Sequence, residues 1–166
     1  MFHIRKFKLK HFKQNAEEPT GCINGWKVYG WCTTSDASSC KLLVRIKEMA
    51  EVDAKHLLGG MAKLLGLACV GKQLAEMYDS KKCHEAFTFI RQNGIEHKVH
   101  RIWPGGDVRI YFCYGLDKSI VVFYGQSKRK DKLTNGEKKE LQAACEAFLT
   151  AQEHNQLIIV EIKDEN

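Results

Sequence analysis

The sequence is poor in the features that most often announce a function. It has only two prolines and thirteen glycines among 166 residues, so long disordered tracts and collagen-like or proline-rich segments are excluded. No run of 18 apolar residues occurs, and no transmembrane helix is expected. The basic N-terminus "MFHIRKFKLKHFK" lacks a continuous apolar stretch and a small-residue cleavage site, so it does not read as a secretory signal. The phosphate-binding patterns G-x-x-x-x-G-K-[ST] and G-x-G-x-x-G are missing, as are H-E-x-x-H and G-x-S-x-G. Seven cysteines is an odd number, and none forms a C-x-x-C pair. Neither a disulfide framework nor a zinc knuckle is expected. Cys69, Cys113 and Cys145 sit in apolar patterns and read as small buried hydrophobes. A reduced, cytoplasmic location follows, with no cofactor, no metal and no membrane partner.

What is present is one domain's worth of chain, 44% apolar, with a net charge of +6. The excess of positive charge favours anionic partners without naming one. Residues 2–10 alternate weakly as a short strand whose parity breaks, and "GWKVYGW", Gly25 to Trp31, reads as a better one. "TTSDASS" then offers Ser and Asp as helix caps. From Leu42 the period is helical. Leu42, Leu43, Ile46 and Met49 form one stripe, and Met61, Leu64, Leu65 and Ala68 another, with Gly59 and Gly60 as the expected break. Leu74, Met77 and Tyr78 begin a third helical stretch expected to run toward Phe87 and Phe89 and to stop at "RQNG".

From Glu96 the period becomes two. "HKVHRIW" is a strand and "PGGD" a turn. "VRIYFCY" alternates, with Val108, Ile110, Phe112 and Tyr114 on one face and Arg109, Tyr111 and Cys113 on the other. After the turn "GLDK", the run "SIVVFYG" is apolar throughout, as a strand buried on both faces requires. Three strands joined by short turns imply an antiparallel meander. Thr134 and Glu137 then have the spacing of a capping box, and Leu141, Ala144, Cys145, Phe148 and Leu149 share one helical face. "LIIVEI" is a candidate final strand.

Between the last meander strand and that helix stands the charge cluster "SKRKDK", with Lys128, Arg129, Lys130 and Lys132. An array of cations at the end of a rigid strand suits the phosphates of a nucleic acid. Arg109 and Tyr111 share a face nearby, and rings beside cations suit unpaired RNA bases. The preceding strand carries His97, Lys98, His100 and Arg101, with Lys98 and His100 on one face and Val99, Arg101 and Trp103 on the other. Cleaving RNA through its ribose 2′-OH needs a base, an acid and cations. His100, Lys98, Arg109 and the cluster are the candidates. Cys83 beside His84 is set aside as a nucleophile pair, because neighbours on a helix point apart.

The stretch "DVRIYFCYGLDKSIVVFYGQSKRKDKLTNGEKKELQAACEAFL" resembles the C-terminal half of the RelE/ParE toxin superfamily, and within it the HigB-like branch. There, too, a strand with a central Arg pairs with an apolar strand, followed by a Lys-rich segment and an amphipathic helix. The resemblance extends over Leu42 to Leu149 and is clearest from His97 onward. It implies an α+β, RelE-like fold: a small antiparallel sheet packed against an N-terminal helical region and a C-terminal helix. It frames a single domain with an N-terminal extension over 1–35, a core over 36–150 and a tail over 151–166. It implies the toxin of a type II toxin–antitoxin pair, an endoribonuclease acting on mRNA on the ribosome and held in check by an acidic antitoxin. Arg109 matches the family's strand Arg at the scissile phosphate, and Lys128, Arg129, Lys130 and Lys132 match its basic segment. "KLTNGE" lacks the proline common before the family's last helix, and His154 is the only candidate acid or base near the end. A gyrase-poisoning toxin on the same scaffold and a module that only binds RNA or protein are the alternatives.

Overall fold

The computed structural model describes residues 1–127 and 132–162. Lys128, Arg129 and Lys130 of the charge cluster lie outside the described residues. Strands β1 (Phe2–Lys6) and β2 (Lys27–Cys32) come first. Helices α1 (Lys41–Glu48), α2 (Glu51–Val70) and α3 (Leu74–Met77) follow. A meander comes next, of β3 (Cys83–Ile90), β4 (Glu96–Gly105), β5 (Val108–Tyr114) and β6 (Ser119–Ser127). Helix α4 (Asn135–Glu153) and strand β7 (Leu157–Ile159) close the described chain.

The fold is α+β, as expected, but the sheet is not small. Seven strands lie in the order β3-β4-β5-β6-β2-β1-β7. Strands β3 to β6 pair antiparallel in sequence. Strand β2 then joins β6 in parallel, β1 joins β2 antiparallel, and β7 joins β1 in parallel. The segments read as an extension and a tail therefore supply three of the seven strands. A parallel partner for β6 needs a long crossover from β2, and α1 to α3 and the meander provide it.

Both faces of the sheet are covered, and strand alternation sorts the core in two. Val108, Ile110 and Phe112 of β5 pack with Leu42 of α1, Leu57, Met61 and Leu64 of α2 and Leu74 of α3. Tyr111 and Cys113, pointing the other way, pack with Leu141, Cys145, Phe148 and Leu149 of α4. Strand β6 is buried on both faces from Ser119 to Gln126. Helix α4 starts at the expected capping box: the Glu137 amide donates to Thr134 Oγ1 at 3.2 Å, and the Thr134 amide donates to Glu137 Oε1 at 2.8 Å.

Three expectations are corrected. The helical hairpin does not break at Gly59 and Gly60. Helix α2 runs through both, and the chain turns earlier, between Glu48 and Glu51. Gly60 serves packing instead: a Cβ there would lie 2.5 Å from Pro104 and 3.1 Å from Ile110. The third helical stretch is a single turn, and the residues that include Phe87 and Phe89 form strand β3. "RQNG" is then a hairpin turn, with Gly94 at φ +85° donating to the Arg91 carbonyl. A short apolar spacing cannot separate a brief helix from a strand, and pairing with β4 decided it. Finally, Cys69 is not a buried free thiol. It forms a disulfide with Cys22, which ties the loop before β2 to the end of α2. No helix among the described residues is long and apolar enough to cross a membrane.

Candidate functional site

A row of side chains crosses the α4 side of the sheet. His84 on β3 pairs in register with Arg101 on β4, which pairs with Tyr111 on β5, which pairs with Tyr124 on β6. Side chains at paired positions stand on the same face. The segment leading into α4 and that helix's first turn close over the row. The result is a cleft of about 430 Å³ lined by His84, Ala86, Arg101, Tyr111, Lys132, Leu133 and Lys138. Three of its lining residues are permanent cations, and its lining has no carboxylate among the described residues. That donor set suits an anion. The capping box already occupies two of the amides that α4 would otherwise aim at a ligand, so the attraction comes chiefly from Arg101, Lys132 and Lys138.

The hydrogen bonds assign the state of His84. Arg101 Nε can only donate, and it lies 3.1 Å from His84 Nε2. Nε2 is therefore the accepting nitrogen. Nδ1 carries the proton and donates to the Glu85 carbonyl at 2.8 Å. The lone pair of Nε2 is turned toward Arg101.

Tyr111 is fully buried at the back of the cleft. Gln126 Nε2 lies 3.4 Å from its hydroxyl. Burial raises the phenol's pKa, with Gln126, Arg101 and Arg109 acting in the opposite direction. The ring has no face to offer a base, so the expected stacking role does not fit its position.

The other expected site residues are divided by the sheet. Arg101 and Lys132 line the cleft. Arg109 stands on the same face but is 8% exposed. Its Nη1 donates to the Val108 carbonyl at 3.0 Å, and its guanidinium carbon lies 5.3 Å from the centre of the Trp103 ring. Lys98 and His100 lie on the opposite face, as alternation along β4 requires. Lys98 pairs with Glu85 at 2.6 Å, and each holds the other in its charged form. His100 stacks on Phe112 at 5.3 Å and meets Tyr114 edge-on at 5.0 Å. Burial pushes its pKa down to about 4, so it is neutral at pH 7. The expected trio of Arg109, His100 and Lys98 is thus not a single constellation. His154 caps the end of α4, far along the helix from its first turn.

His84 and Lys138 are the cleft residues that sequence reasoning missed. A helical reading of this stretch hides His84. On a strand, Cys83 turns to the helical core and His84 to the cleft. The run "TFI" at 88–90, rich in β-formers, is the available signal. Lys138 is hidden within a helix start and gains meaning only from the strands beneath it.

These features define the class: an α+β protein with a basic cleft between a sheet and the first turn of a helix. No family model, no curated protein and no solved structure matches the chain.

Proposed function

We propose that the cleft binds the sugar–phosphate backbone of RNA and that the protein is a RelE-like toxin that cuts mRNA on the ribosome. The observation that carries this reading is that Arg101, Lys132 and Lys138 line one cleft with His84, whose Nε2 accepts from Arg101. The order of elements also supports it: after β1 come strand β2, helices α1 to α3, an antiparallel meander whose last strand β6 lies parallel to β2, and then α4 after a basic segment. The chemistry is transesterification. His84 Nε2 takes the proton of a ribose 2′-OH, whose oxygen attacks the adjacent phosphorus. The P–O5′ bond breaks, leaving a 2′,3′-cyclic phosphate and, after proton transfer to the leaving oxygen, a 5′-OH. Arg101 and the two lysines offset the charge that builds on the phosphate. Such a site requires a cognate antitoxin, whose acidic segment would fill the same cleft; the Cys22–Cys69 disulfide removes the sequence argument for a reducing compartment.

The test is induced expression with mapping of mRNA 5′ ends. Cuts inside translated frames, lost when translation is blocked and lost in R101A and H84A, are expected. Intact messages in cells arrested by the wild-type protein would overturn the reading. One observation favours a module that only binds RNA: Arg109, matched to the family's Arg at the scissile phosphate, is buried. In that case the purified protein retains RNA without producing cyclic phosphate ends.

A further inference from the structure

Behind the cleft, toward the far end of α4, three metal-binding side chains meet. They are His97 on β4, Cys113 on β5 and Cys145 on α4, and their ligand atoms all lie within 4.8 Å of one another. Their meeting follows from the periods of the elements. His97 is four residues before Arg101, so it shares that face of β4. Cys113 is two residues after Tyr111, so it shares that face of β5. Cys145 belongs to the buried stripe of α4 that presses on both strands.

Both thiols are fully buried and His97 is half-buried. Two sulfurs and an imidazole are a soft donor set, suited to zinc. Tetrahedral zinc holds thiolates at about 2.3 Å and imidazole at about 2.0–2.1 Å, which puts ligand atoms roughly 3.4–3.8 Å apart. The trio reaches that spacing by closing about 1 Å. Two thiolates in so apolar a place require a cation to offset their charge, and the nearby Arg91 is engaged by Glu146 and Glu153.

We propose that His97, Cys113 and Cys145 form a zinc site that fastens α4 to the sheet, with a water in the fourth position on the half-buried His97 side. Binding displaces two thiol protons, and the ion with two thiolates is then neutral overall. None of the three residues lines the cleft, so this inference stands independently of the RNA reading.

The test uses the full chain, without an affinity tag, purified under a non-thiol reductant, stripped of metal and titrated with zinc against a chromophoric chelator. One zinc per chain, about two protons released per zinc and a raised Tm are expected. C145S and H97Q should each weaken binding by at least about 10-fold. C32S, which alters the buried Cys32–Cys40 pair, should leave it unchanged. If C145S does not fold, H97Q decides the matter, because His97 is half-buried and its removal opens no core cavity. Absence of stoichiometric zinc, equal affinity in H97Q, uptake of copper only, or a Cys113–Cys145 disulfide in peptide mapping would each overturn the proposal.

Discussion

Arg101 and His84 face each other across the β3–β4 pair, and the guanidinium Nε donates to the imidazole Nε2 at 3.1 Å. This bond holds the imidazole in one tautomer and keeps its lone pair occupied until Arg101 moves. Under the proposed function, binding and chemistry separate by residue. H84Q should retain RNA while losing cleavage by about 10²–10⁴-fold, the usual contribution of a general base. R101A should weaken RNA binding itself and lower the salt dependence of binding by about one phosphate contact. Filter binding across salt concentrations and single-turnover cleavage distinguish the two. Equal loss of both properties in both variants would remove His84 from the base role.

His100 makes stability depend on pH. Its pKa is about 4 in the folded protein, against 6.5 for an unperturbed histidine, so the unfolded chain takes up the proton first. The stability this provides is complete above about pH 6.5 and is lost as pH falls toward 4. The loss should be on the order of 2 kcal/mol, less than the whole shift implies because the ring is only partly shielded. Denaturant melts between pH 7 and pH 4 measure it. H100F should flatten the slope, and an unchanged slope would assign the acid sensitivity to another group.

Gly30 sits where β2 passes beneath Phe7. A methyl group there would overlap the Phe7 ring and lie 2.8 Å from Cys40 Sγ. G30A is expected to cost about 1–3 kcal/mol through overpacking, read as a fall in the urea midpoint with an unchanged m-value.

The capping box at the start of α4 supports the mouth of the cleft. T134A removes the acceptor for the Glu137 amide and should destabilise the protein by about 1 kcal/mol. Because Lys132 and Lys138 flank that cap, RNA affinity should fall as well. Unaltered affinity would show that the lysines do not depend on the helix start.

The Cys22–Cys69 disulfide closes a loop with a sequence separation of 47. Chain-entropy arguments give such a crosslink about 4 kcal/mol at most. Adding a reductant, or substituting C22S, should lower Tm measurably, and a Tm indifferent to reductant would mean that the crosslink contributes nothing.

Legibility in the sequence differs from element to element. The alternation of Val108 to Tyr114 and the unbroken apolar run from Ile120 to Tyr124 identify two central strands, and Thr134 with Glu137 marks the start of α4. Strand β3 reads as helix because Leu74, Met77 and Tyr78 imitate a helical stripe for one turn. Of the site, Arg101, Tyr111 and Lys132 are legible, but with partners that the sheet sends elsewhere. His84 cannot be joined to Arg101 without the β3–β4 register, and a one-residue slip in that register would put them on opposite faces.

Most local order, β3 excepted, came from the sequence itself, because period, capping and turn chemistry act over a few neighbouring residues: which segments are strands or helices, and which of their faces are apolar. Partnership was decided only by the tertiary structure. The pairing of β2 with β6, the joining of Cys22 to Cys69, the separation of His100 from Arg101 and the meeting of His97 with Cys113 and Cys145 all depend on register and crossover. Those are set by how two faces of one sheet bury their apolar side chains together, a property of the whole chain that no short window contains.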